Sequence, residues 1–224
     1  MPELKYSLSS VSSATATHEG IAQEPVNGLI KQPSKLFASL IDPPKKDHRL
    51  TVLEIGSALP ETVDYFSRYK CRLHFLDLFS GTQLQELQEM TNAKQIQDRM
   101  AKMLTLPAGT RLDVCLLWDF LCYLDDRALR AFSLAIRPYL HRDSRAHGFG
   151  VHHRAIRLAN RRYGVIDDAT LSVRPNQGPQ AETIPHTQVE THDLLSCFDF
   201  QQGLRLPDGK LEILLKARPE AFEN

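Results

Sequence analysis

Three short stretches carry residues that could do chemistry, and each closes a run of apolar residues. The first is Glu54-Ile55-Gly56-Ser57-Ala58-Leu59-Pro60. Gly56 lets a backbone come close to a ligand, and the helix expected after it turns its amide donors toward the same space. The second is Asp77, 21 residues beyond Gly56. A carboxylate so placed accepts hydrogen bonds from both hydroxyls of a ribose. The third is Trp118-Asp119-Phe120-Leu121-Cys122-Tyr123-Leu124. It offers an aromatic wall and a carboxylate at the mouth of a pocket. Each residue also has a plain structural role open to it. Gly56 fits a strand-to-helix turn, Asp77 and Asp119 fit caps, and Trp118 and Tyr123 fit a core and its rim.

Other signals are weaker. His152 and His153 follow an expected strand end, where a base could work, but no partner acid is identifiable. Adjacent side chains on a strand point to opposite faces, so the pair does not suit a metal. The cysteines at 71, 115, 122 and 197 lack CxxC spacing, and no metal site is expected. Cys71 and Cys115 read as small buried hydrophobes in a reducing cytoplasm. Between Arg127 and Arg174 the chain holds ten Arg against three acidic residues. Arg154, Arg157, Arg161 and Arg162 gather on one expected helix. A solvated face is the simpler reading, and a docking patch for an acidic partner at Arg154, Arg157 and Arg161 is the sharper one.

The elements that must position these residues follow from periodicity. Leu50–Gly56, Arg72–Leu78, Leu112–Trp118 and Gly148–His152 read as strands. Helices are expected over Leu59–Tyr69, with Val63, Phe66 and Tyr69 on one face, over 82–104, over Asp126–Leu140 and over Arg154–Tyr163. Thr191 is expected to cap a short helix at Asp193–Leu195. Phe198–Leu206 and Lys210–Ala217 form an expected hairpin turned at Pro207-Asp208-Gly209. Residues 1–28 read as a disordered arm, and 29–49 as a short helix and linker. Residues 50–224 form one domain. Strands alternating with helices imply an α/β fold with a doubly wound, mostly parallel sheet and an antiparallel C-terminal hairpin. In such sheets a ligand binds outside the carboxyl ends of the strands, where the three stretches above lie.

Val52-Leu53-Glu54-Ile55-Gly56, Leu76-Asp77 and Leu112-Asp113-Val114-Cys115-Leu116-Leu117-Trp118-Asp119, with the closing hairpin, resemble class I S-adenosylmethionine-dependent methyltransferases. The likeness spans roughly residues 50–217. It implies a Rossmann-like seven-stranded sheet whose last strand is antiparallel, and S-adenosylmethionine as cofactor. It implies that Glu54, Gly56, Ala58, Asp77 and Asp119 lie on the cofactor side, with Trp118, Tyr123 and His152 bordering a substrate pocket. The chain departs from the family's Glu/Asp-x-Gly-x-Gly-x-Gly motif, because Ala58 and Pro60 stand at the second and third glycines. Pro60 removes an amide donor from the turn. The third family strand and its acid have no clear counterpart. Asp98, the nearest candidate, reads as part of a solvated helix face with Gln95 and Lys102. No acceptor motif is present.

Composition bounds the rest. The chain has 224 residues, with Lys+Arg 27 against Asp+Glu 27 and a hydrophobic share of 42%. That is an ordinary globular composition, and the zero balance argues against coating nucleic acid or an anionic membrane. Met1–Gly20 has no apolar run, so no secretory leader is expected, and no run is long enough to span a membrane. Two functions fit. One is a methyltransferase with an unknown small-molecule or protein acceptor. The other is an inactive module of the same fold that acts by binding a protein or ligand.

Overall fold

Alternating apolar side chains on four strands bury both faces of one sheet. The computed structural model describes residues 28–41, 48–79, 82–151, 158–176 and 181–218. The large sheet runs β3 (Cys71–Leu76), β2 (Leu50–Ile55), β4 (Leu112–Trp118), β5 (Leu140–Val151), β9 (Lys210–Ala217), β8 (Phe198–Arg205). The first four are parallel, while β9 runs antiparallel to β5 and β8 antiparallel to β9. This is the expected α/β architecture with its closing hairpin, but with six strands where seven are expected. Between β3 and β4 the chain forms α2 (Gln83–Glu89) and α3 (Ala93–Met103). Their glutamines and charged residues supply no β-branched run to make a further strand. The single helix expected over 82–104 is broken at Met90–Asn92, where the Asn92 side chain caps α3 by accepting from the amides of Lys94 and Gln95. Asp98 pairs with Lys94 on its exposed face.

The period of two sorts each strand's side chains. Leu53, Ile55, Cys115, Leu117, Ile213 and Leu215 face one core, shared with α2, α3 and α4 (Asp126–Ile136). Val52, Val114, Leu116, Trp118 and Leu214 face the other. That second core is closed by α1 (Pro60–Phe66) and by a separate three-stranded antiparallel sheet. This smaller sheet runs β1 (Ile30–Pro33), β7 (Thr170–Pro175), β6 (Arg161–Asp167).

The small sheet corrects several expectations. The helix expected over Arg154–Tyr163 does not form at its end, since residues 158–160 are irregular and Arg161 begins β6. Tyr163 and Val165 alternate into the core, a strand period that the arginines around them obscure in the sequence. The segment 29–49, expected to be a short helix and linker, supplies β1 and one 3-10 turn at Phe37–Ser39. Phe37 is fully buried. The arm expected at 1–28 lies, but for Gly28, outside the described residues.

Smaller corrections have local causes. In α1 the buried residues are Thr62, Tyr65 and Phe66, while Val63 is exposed, because the small sheet packs one position round from the expected face. The last helix is α5 (Gln188–Leu194), capped by Thr187 in a capping box with Glu190. Thr191, expected as the cap, lies inside it and donates back to the Thr187 carbonyl. Strand β5 begins eight residues before the expected Gly148. Its first half is polar, but side chains tie it to β4. The Ser144 hydroxyl donates to the Leu112 carbonyl at 2.6 Å, and His141 Nε2 lies 3.2 Å from Asp113.

Gly148 pairs with Trp118 where β4 ends. A Cβ built at Gly148 would stand 2.7 Å from the Trp118 carbonyl oxygen. That oxygen belongs to backbone, so it cannot swing aside. Gly148→Ala should therefore cost about 1–3 kcal/mol of stability. Urea unfolding measures the loss, and the emission of Trp118, the chain's one tryptophan, reports the shifted strand end.

Candidate functional site

The carboxyl ends of β2 and β4 meet in a cleft lined by Gly56, Ser57, Phe79, Trp118, Asp119 and Tyr163, with Arg161 and Arg162 at its rim. Each wall has a local cause. Glu54 shares the strand face of Val52, so the pleat aims it at the same side as Trp118. Trp118 Nε1 donates to Glu54 Oε1 at 3.1 Å. Gly56 follows with φ 151°, a conformation that side chains rarely adopt, and its amide donates to the Leu76 carbonyl. Trp118 has φ 47°, the one positive value at a non-glycine among the described residues. Such backbone is held against its preference by the surrounding contacts and is concentrated at functional sites. Here those contacts are the Glu54 hydrogen bond and a stack with Tyr163, whose ring centroid lies 5.4 Å away at 16°.

Two buried carboxyls flank the indole. Glu54 and Asp119 are each 1% exposed, and each has one oxygen, Oε2 and Oδ1, without a hydrogen-bond partner. Burial pushes the Glu54 carboxyl up to about 8, against the lowering effect of the Trp118 hydrogen bond. Burial also pushes Asp119 up to about 7, although its backbone hydrogen bond, Lys210, Tyr163 and Arg161 all favour the charged form. Tyr163 Oη donates to Asp119 Oδ2 at 3.4 Å. A buried acceptor left open is costly, so this arrangement suits a ligand that brings donors or positive charge.

Asp77 lies elsewhere. It lines a broader cleft beside β3, with Gln83, Arg99, Lys102 and Met103. The Phe79 amide donates to its Oδ1 at 3.2 Å, and the Phe79 side chain lines the Gly56 cleft, so Phe79 stands between the two. Ala58 is exposed on the turn after Gly56. Tyr123 is not at the cleft mouth. It is buried against Phe79 with centroids 5.4 Å apart, because the 3-10 turn Phe120–Tyr123 folds it inward. His152, His153, Arg154 and Arg157 lie outside the described residues. Arg161 turns to the cleft rather than to a helix surface.

Sequence reasoning thus finds Glu54, Gly56, Trp118 and Asp119, which the fold brings together. It misses Tyr163, Arg162 and Phe79 as cleft residues. The alternation Tyr163-Gly164-Val165 is the signal that would have marked β6.

No family model and no curated protein matches the chain. Among solved structures it is similar to a 1,6-didemethyltoxoflavin-N1-methyltransferase from Burkholderia thailandensis, bound to 1,6-didemethyltoxoflavin and S-adenosylhomocysteine. Identity there is 18% over 75% of this chain and 70% of that chain, with TM-score 0.43. It is also similar to the glycopeptide N-methyltransferase MtfA complexed with S-adenosylmethionine, at 15% identity, 81% and 91% coverage and TM-score 0.45. A third is an S-adenosylmethionine-dependent methyltransferase from Clostridium acetobutylicum, at 12% identity, 75% and 83% coverage and TM-score 0.46. At these values function has to be read from the chain's own residues.

Proposed function

We propose that the chain binds S-adenosylmethionine and transfers its methyl group to an acceptor still to be identified. The observation that carries this reading is the pair of buried carboxyls, Glu54 and Asp119, each with an open oxygen beside the Gly56 turn. S-adenosylmethionine supplies a methyl group on a sulfonium, which a nucleophile displaces in line, and it bears an ammonium besides. A ligand that carries two positive groups is what two desolvated carboxyls select.

The two clefts divide the work. The Gly56 cleft is narrow, with room for about one water, so the ligand's end enters it only as the aromatic walls part. There Asp119 faces the positive groups, with Glu54 hydrogen-bonded to the Trp118 indole that lines the cleft, and Trp118 and Tyr163 exclude water. The Asp77 cleft takes the nucleoside end, with the Asp77 carboxylate accepting from ribose hydroxyls. Orientation and water exclusion are the protein's contribution to such a displacement, and no general base is required of it.

Calorimetric titration with S-adenosylmethionine and S-adenosylhomocysteine tests the reading. One site of micromolar affinity is expected, and folded protein giving no heat at millimolar ligand would overturn it. Asp77→Ala should weaken binding of either ligand by roughly 1.5–3 kcal/mol, the cost of losing hydrogen bonds to a charged group. Unchanged affinity would remove Asp77 from the site. A reducing cytoplasm is the proposed compartment, supported by four cysteines that stand as free thiols. Among the described residues no helix is long and apolar enough to cross a membrane.

A further inference from the structure

Among the described residues Lys210 is the one buried lysine or arginine, 4% exposed at the head of β9. Taking an ammonium out of water is costly, and an apolar side chain of similar length commonly serves a fold as well. Its carboxylate partner, Asp208, lies 3.2 Å away but is more than half exposed, so water screens that pair. The rest of its surroundings lead to the cleft. Lys210 Nζ donates to Gln32 Oε1 on β1 at 2.9 Å, and it lies 5.0 Å from the Phe149 ring centroid and 5.7 Å from that of Tyr163. Those two rings pack together, with centroids 5.1 Å apart. Tyr163 in turn stacks on Trp118 and points its hydroxyl at Asp119. A cation over a phenol ring draws electron density from it and makes its hydroxyl a stronger donor. Lys210, Tyr163 and Asp119 thus form a line from β9 through the small sheet to the cleft wall.

The other groups that face Asp119 differ in charge. Cys122, Tyr123 and Tyr163 feel its carboxylate, but burial pushes all three up and holds them neutral. Glu54 stands across the Trp118 indole. Arg161 and Lys210 are the cations that favour the charged carboxyl, and Lys210 acts more strongly. Arg161 stands partly in solvent, while the field of Lys210 crosses packed rings and is screened less.

We propose that Lys210 is a positioning residue of the site: its ammonium, acting on Asp119 through the Tyr163 ring, keeps that carboxylate available to the cationic end of the donor. The part that concerns the donor rests on the proposed function. The hold on Asp119 does not.

Two measurements on the full chain test it. Carbon NMR of aspartate-labelled protein, with Asp119→Asn to assign the signal, follows the Asp119 carboxyl without any ligand. Lys210→Met removes the charge and keeps the stem, and it should move the Asp119 step upward by about half a pH unit or more. Lys210→Arg keeps the charge and should leave the step near its wild-type position. An unmoved step in Lys210→Met would overturn the proposal. Lys210→Gln replaces Lys210→Met if that protein does not fold, and failure of both to fold would overturn the proposal by making the ammonium a requirement of the fold. Calorimetry with S-adenosylmethionine then separates charge from packing. Lys210→Met should bind about threefold or more weakly than wild type near about pH 6, where Asp119 must first release its proton, and no more weakly near about pH 9, where it is already ionised. An equal loss at both pH values would overturn the electrostatic role and leave a structural one. Wild-type protein that binds no S-adenosylmethionine would overturn the cofactor reading, while the carboxyl titration would still decide the hold of Lys210 on Asp119.

Discussion

Binding of S-adenosylmethionine should tighten steeply as pH rises from about 6 to about 8. The empty protein keeps Glu54 protonated up to about pH 8 and Asp119 up to about pH 7, because burial disfavours their charged forms. A cationic ligand binds the ionised carboxyls, so below those values each must first release a proton. Linkage sets the size of the effect: about 50-fold across this range for Glu54 and about tenfold for Asp119, if each ionises fully on binding. Calorimetry in buffers of different ionisation enthalpy counts the protons released. Glu54→Gln should remove the steeper part of the profile and leave the part due to Asp119. S-adenosylhomocysteine lacks the sulfonium charge and should show a shallower dependence. A flat profile for wild-type protein would mean that neither carboxyl faces the ligand's charge. The sign for stability is the reverse. Both groups have folded values raised above their unfolded ones, so the empty protein binds more protons than the unfolded chain. Their ionisation costs stability as pH climbs from about 4 through about 8.

Glu212→Ala should destabilise the protein by at least about 1–3 kcal/mol, the cost of leaving a buried hydrogen-bonding group without its partner. Glu212 is 1% exposed in the middle of β9 and gathers four donors. His147, fully buried, faces it with Nε2 at 2.9 Å. The Ser34 hydroxyl and the amides of Lys35 and Leu36 complete the set. This carboxylate fastens the N-terminal segment to the sheet, and its removal strands a hydroxyl and an imidazole without partners. Burial alone would push Glu212 up, but the hydrogen bonds from His147 and Ser34 more than offset it and hold the carboxyl below its ordinary value. Its contribution is therefore present above the unfolded pKa and lost as pH falls through the folded one. Glu212→Gln keeps an acceptor and should cost less, with a flatter loss of stability in acid. Urea unfolding of the three proteins between about pH 3 and about pH 7 decides it. Equal stabilities at neutral pH would show the network to be dispensable.

The large sheet was legible because its signal is local. Leu50–Ile55, Leu112–Trp118 and Lys210–Ala217 are apolar runs bounded by turn residues, and burial on two faces demands such runs wherever they occur. Glu54, Gly56 and Asp119 could be named for the same reason, since strand ends define where a doubly wound sheet binds. The small sheet was not legible. Its strands β1 and β7 are 141 positions apart at the Lys31–Ser172 pair. No local pattern encodes a pairing of that separation, and the surrounding arginines mimic a solvated helix. Two facts about the site likewise belong to the tertiary structure alone. Asp77 and Gly56, neighbours by family spacing, line separate clefts divided by Phe79. Glu54 and Asp119, 65 positions apart, are both buried next to Trp118, and that burial raises both carboxyls and leaves an oxygen of each open. Sequence chose which acids stand at the strand ends. Desolvation, which depends on everything packed around them, decided what charge they carry and so what they can hold.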